Sequence, residues 1–217
     1  MNLFRRCTAE FLGTAFLLAT IVGSGIMAER LSGGNVALAL LANTLATGAG
    51  LLALILTFSP ISGAHFNPVV SLSARWQNQL SNRELCFYLT AQIIGAFAGV
   101  AAAHGMFGEP VFFASQHVRS GPSQWWSEFI ATFGLIAVMM SCSRSRPTIT
   151  PFAVAAYITA AYWFTASTSF ANPAVTLARA ASDTFAGIRP MDTPGFIVAQ
   201  LCGGWMATKV MGWLFRH

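Results

Sequence analysis

Charge is what this sequence has least of. Only 9% of its 217 residues are Asp, Glu, Lys or Arg, against about 25% in an average soluble domain. A soluble fold could not cover its surface with so few charges, so much of the surface faces lipid. The mean hydropathy of +0.60 agrees. Acids are scarcer than bases, seven against twelve, for a net charge of +5. The bases stand singly or in pairs between apolar runs, with no stripe to follow a phosphate backbone, so no nucleic-acid partner is expected. Long polar stretches are missing too. Apolar segments of about 20 residues recur along the whole chain, which leaves short loops and no room for a soluble domain. The four cysteines, Cys7, Cys86, Cys142 and Cys202, lie in or beside apolar segments at no metal-ligand or disulfide spacing and read as packing residues. No His-Glu-x-x-His run and no Ser paired with Lys or His occurs in the candidate spans. Trp125 and Trp126 beside Ser127 read as an interfacial aromatic belt. No enzyme activity, cofactor or metal is expected.

What is present is repetition. Glu10-Phe11 with Thr14 matches Glu128-Phe129 with Thr132. Asn67-Pro68-Val69-Val70-Ser71-Leu72 matches Asn172-Pro173-Ala174-Val175-Thr176-Leu177. Ala91-Gln92 and Gly95 match Ala199-Gln200 and Gly203. The order is the same in both halves. Arg5-Arg6 and the apolar stretch to Met27-Ala28 imitate a secretory signal, but a cleaved signal has no reason to resemble the start of an internal repeat. The pattern predicts helices near 5–27, 36–58, 67–76 and 84–104, then 124–143, 150–166, 172–181 and 194–215. Three spans per repeat is an odd number, so the second repeat enters from the opposite side. With the N-terminus inside, Arg5, Arg6, Arg75, Arg83, Arg144, Arg146, Lys209 and Arg216 face the cytoplasm, against Arg30, Arg119, Arg179 and Arg189 outside. The positive-inside rule then places both termini in the cytoplasm. Ala91, Gly95 and Gly99, like Ala199, Gly203 and Ala207, put small residues on one helix face for close backbone approach in lipid.

The chemistry sits at the two Asn-Pro pairs. Pro lacks an N–H and suits a first helical position, and Asn before it is a favoured N-cap. A turn-forming run precedes each pair, Ser59-Pro60-Ile61-Ser62-Gly63 and Ser167-Thr168-Ser169. About ten residues follow each, half of a bilayer crossing. These read as re-entrant half-helices, whose irregular backbone survives at membrane depth only beside a water-filled path. Inversion brings their starts face to face. The two positive dipole ends then oppose cations and protons, while the Asn amides offer hydrogen bonds to a passing oxygen.

With two such motifs in register, the chain resembles the aquaporin and glycerol-facilitator family over essentially its full length. The resemblance implies an all-α membrane protein, an aquaporin-like bundle of six transmembrane helices plus two re-entrant half-helices in an inverted repeat. It implies one channel domain over 1–217, with repeats at about 1–110 and 120–217, and a homotetramer in the cell (inner) membrane. Glu10 and Glu128 are expected to support the re-entrant loops by accepting backbone N–H groups, and His65 to line the pore. His104, His117 and His217 carry no signal. Most family members place Arg three residues after the second Asn, where this chain has Val175; the other filter positions fall by family spacing on Thr47, Ala160 and Ser169. Arg179, one turn beyond Val175, either partly restores charge at the pore mouth or, the favoured reading, is an interfacial snorkelling arginine. The expected function is passive diffusion of small neutral polar solutes through a widened filter. Water, glycerol, urea, arsenite and methylated arsenicals are candidates, since Asn-Pro-Val with Val175 resembles bacterial channels linked to arsenic resistance. A water-selective channel and a secondary transporter stay open as alternatives.

Overall fold

The computed structural model describes residues 1–216; His217 lies outside the described residues. Eight α-helices follow in order: α1 (Leu3–Leu31), α2 (Val36–Ser62), α3 (Pro68–Trp76), α4 (Asn82–Phe107), α5 (Pro122–Ser145), α6 (Thr150–Phe164), α7 (Pro173–Arg179) and α8 (Thr193–Leu214). A short 3₁₀ turn, Pro190–Asp192, precedes α8. Elements α1–α4 and α5–α8 correspond one to one, with one short helix, α3 or α7, taking the third place in each half. Among them α1, α2, α4 and α5 are long and apolar enough to cross a membrane by length and composition.

Local chemistry sets the helix starts. Asn2 and Asn35 cap α1 and α2 by accepting from the backbone N–H of Arg5 and Leu38, at 3.0 Å each. Ser81 and Glu84 form a reciprocal capping box on α4. Left-handed glycines, Gly63 and Gly108, close α2 and α4. One expectation fails at the end of α2. Ser59 to Ser62 are helical instead of turn-forming, and only Gly63 leaves the helix. Pro60 removes one N–H donor, yet continuing the helix pairs the remaining backbone groups within the segment, which apolar surroundings favour.

Packing is inverted relative to a water-soluble bundle. Helix α2 buries Asn43, Thr44 and Thr47 while exposing Leu38, Leu41, Leu45 and Leu56. Helix α1 packs on α4 and α2, α5 on α8 and α6, and α2 meets α6 across the halves. Both repeats need glycine at the same tight crossing. A Cβ on Gly95 would strike the carbonyl oxygen of Phe11, and one on Gly203 would strike that of Phe129. The cysteines are free, Cys86 and Cys202 on the exposed surface.

Candidate functional site

The two Asn-Pro segments meet tip to tip. Asn67 Nδ2 donates to the carbonyl of Ala171 at 2.7 Å, and Asn172 Nδ2 donates to the carbonyl of Phe66 at 2.8 Å. Each side-chain oxygen caps its own helix: Asn67 Oδ1 accepts from Val69 N at 2.9 Å, Asn172 Oδ1 from Ala174 N at 3.0 Å. Pro68 and Pro173 hold the first helical positions, where a missing N–H costs nothing. The carbonyls are delivered by strained backbone. Ala64 and Phe66 sit at φ +52° and +50°, and their counterparts Ser169 and Ala171 at +52° and +47°. A non-glycine residue held there costs about 1–3 kcal/mol, so other contacts must fix both loops.

The two membrane carboxylates supply those contacts. Glu10 accepts from His65 N at 3.0 Å, Phe66 N at 2.7 Å, Ser62 Oγ at 2.6 Å and Gln92 Nε2 at 2.8 Å. Glu128 accepts from Phe170 N and Ala171 N at 2.8 Å each and from Gln200 Nε2 at 2.6 Å. The glutamines continue symmetrically, Gln92 to Ser71 Oγ and Gln200 to Thr176 Oγ1, each at 2.9 Å. One contact differs between the halves. Thr176 donates its hydroxyl to Asn172 O at 2.9 Å, whereas Ser71 Oγ lies 3.0 Å from His65 Nδ1.

A cavity of about 310 Å³ passes these tips and is lined by Asn67, Asn172 and His65. It follows α6 from Thr150 through Val154 and Ile158 to Tyr162, a path of about 18 Å at the helical rise. Gln77 and Arg144 lie at one end; Thr47, Ser169, Val175 and Arg179 line the other. The Ser169 hydroxyl is buried without a partner. Val69 and Ala174 are fully buried behind the tips.

Two sequence expectations change. Ala160 does not line the cavity and is exposed on the outside of α6. It lies about 200° round the helix from Ile158, two residues away, and that turn carries it off the inner face occupied by Ile158 and Tyr162. Tyr162 takes the place instead and donates its hydroxyl to Thr47 Oγ1 at 3.3 Å. Arg179 does not snorkel. It is 2% exposed, its Nε donates to the Ala186 carbonyl, and its guanidinium carbon stands 3.4 Å from the centre of the Phe170 ring. Sequence reasoning also missed Arg119. From the loop before α5 it reaches the Gly187 carbonyl at 2.8 Å and approaches the same ring at 5.1 Å. His104 is fully buried and ties that loop down, with Nδ1 2.8 Å from Val111 O and Nε2 2.9 Å from Ser182 Oγ. A polar residue on the last turn of a predicted span was the available signal for it.

Comparison with known proteins follows the same lines. The family model described as Major intrinsic protein matches residues 1–164. The chain is 53% identical over 215 residues to aquaglyceroporin AqpS of Rhizobium meliloti, covering 99% of this chain and 92% of that protein. It is 36% identical over 106 residues to a glycerol uptake facilitator protein of Pseudomonas aeruginosa, covering 49% of this chain and 37% of that one. The solved aquaglyceroporin from Plasmodium falciparum shares the fold, with a TM-score of 0.67 at 22% identity over 96% of this chain and 95% of its own. The chain belongs to the major intrinsic protein family and is a membrane channel for small solutes of the glycerol kind, not an enzyme.

Proposed function

We propose that the chain conducts small uncharged polar solutes passively, glycerol and urea included, with arsenous acid and methylated arsenicals in the same chemical class. The observation that carries this reading is the cavity running past the paired asparagines, with apolar walls and few polar groups. Along it Asn67, Asn172, His65, Thr47 and Ser169 offer hydrogen bonds, while Val70, Ile158 and Val175 offer none. A neutral solute carrying several hydroxyls can exchange water for these groups step by step. An ion would lose its hydration shell against aliphatic wall, at far greater cost. Val175 stands where most relatives carry Arg, so the constriction admits solutes broader than water. The arsenical reading rests on the Asn-Pro-Val triplet and Val175 together.

Both membrane carboxylates are committed to holding loops, which leaves neither for a coupling ion and favours a channel over a secondary transporter. In this reading the chain is a homotetramer in the inner membrane with both termini cytoplasmic, so that the mouth with Gln77 and Arg144 opens inward.

Swelling of proteoliposomes in gradients of glycerol, urea and arsenite tests the proposal. Flux well above empty liposomes, without saturation or an ion requirement, is expected. Flux equal to empty liposomes overturns it. Val175→Arg is expected to abolish flux of the larger solutes and retain water; unchanged selectivity would remove Val175 from the filter.

A further inference from the structure

Two cations are buried beside the Tyr162 end of the cavity, and neither has a carboxylate partner. The ion pairs among the described residues are Arg6–Glu84, Arg30–Glu109 and Arg189–Asp192. Arg119 instead spends its donors on the Gly187 and Ser167 carbonyls and on Thr168 Oγ1. Arg179 uses only Nε, on the Ala186 carbonyl. Its two terminal amino groups make no hydrogen bond among the described residues, and the side chain lines the cavity. Both guanidinium groups lie against Phe170, which itself packs edge-on to Phe196 at 5.2 Å. A ring face attracts cations without neutralising them. Such a shelf holds a positive charge in a fixed, buried place, where its field is little screened.

We propose that Arg179 is the charge barrier and hydrogen-bond donor of this constriction, with Phe170 its shelf and Arg119 a positioning residue that braces the shelf. The proposal rests on the channel reading above and deepens it. The barrier is placed one helical turn beyond Val175, so the neutral-solute path stays wide beside aliphatic side chains while cations meet a fixed charge before the asparagines. The free amino groups of Arg179 can donate to a solute oxygen. The preferred solute is therefore an uncharged molecule rich in acceptors, such as a carbonyl or hydroxyl compound, and its cationic isostere is refused.

Urea and the guanidinium ion form the decisive pair, being planar, of similar size and different in charge. In wild-type proteoliposomes urea should cross readily and guanidinium should remain at the level of empty liposomes. Arg179→Gln should raise guanidinium flux about tenfold or more, as expected for removal of a weakly screened charge, and lower urea flux, since donors to its carbonyl are lost. Arg179→Lys should keep guanidinium out. Arg83→Gln, which removes an exposed charge outside the cavity, should change nothing. If Arg179→Gln does not yield folded protein, Phe170→Leu provides the test, since it retains the charge but removes the shelf, and should admit guanidinium in part. Guanidinium crossing the wild type as fast as urea overturns the proposal, as does continued exclusion in folded Arg179→Gln or, if that variant is lost, in Phe170→Leu. Absence of urea flux in the wild type is a different failure, which overturns the channel reading itself.

Discussion

At the position two residues before each asparagine, one repeat carries His65 and the other Phe170, and the surroundings differ accordingly. Behind both the scaffold is the same: a carboxylate accepting two consecutive backbone N–H groups, a glutamine bridging it to a hydroxyl, and left-handed residues in matching places. In front, His65 pairs through Nδ1 with the hydroxyl of Ser71 and lines the cavity. Phe170 offers no acceptor, so Thr176 turns its hydroxyl back to Asn172 and the ring is free to carry two arginines. The duplicated support keeps the backbone fixed while the pore-facing side chain varies, and the surroundings of one loop are polar where those of the other hold two arginines. Equivalent positions in a repeat thus share the job of holding the loop without sharing the job of meeting the solute.

The largest effect expected is one both repeats share. Gly95→Leu and Gly203→Leu each force a side chain into a backbone carbonyl, at a cost of about 3 kcal/mol or more. Neither variant should yield folded protein by size-exclusion chromatography in detergent. Next come the anchors. Glu10→Gln and Glu128→Gln turn an amide toward backbone donors and leave buried groups unpaired, costing about 2–5 kcal/mol. Each carboxylate also meets a loop serine, Ser62 or Ser167, so the two variants should lower the thermal unfolding temperature by similar amounts; a large difference would break the claimed equivalence. Exchanging the two faces sharpens the contrast. His65→Phe should fold and lose glycerol flux several-fold, because a polar ring in the cavity is replaced by an apolar one. Phe170→His should lose about 1–2 kcal/mol of cation–π stabilisation, seen as a lower unfolding temperature. Tyr162→Phe is the smallest. It removes one long hydrogen bond to Thr47, worth about 0.5–1 kcal/mol, and should leave urea flux nearly unchanged.

Helix starts, the repeat and the paired asparagines were legible because each depends on residues a few positions apart. Asn before Pro encodes its own cap, and Glu10 with Glu128 announced a common role by recurring. The register of α6 was not legible. The second half is shorter than the first between its glutamate and its asparagine, and α6 is much shorter than α2, so a spacing carried across fell on Ala160 and missed Ile158 and Tyr162. Arg179 was misjudged for another reason. On a helix of seven residues, an arginine in the last turn can point either to the membrane surface or inward. The choice is made by Phe170 and the Ala186 carbonyl, which lie elsewhere in the chain. Arg119 reaches the same ring from a loop with no periodicity to read.

The crossed amide–carbonyl bonds at the tips also bear on biogenesis. The first half leaves the ribosome before Ala171 and Asn172 exist, so until then the Asn67 amide and the Phe66 carbonyl lack the acceptor and donor that complete them. A nascent N-terminal half therefore carries unfinished polar groups at mid-bilayer depth, and closure of the permeation path is postponed until the C-terminal half arrives to dock. Seating of the two tips becomes a late, shared step of maturation, and a partly made chain cannot form the finished conduit by itself.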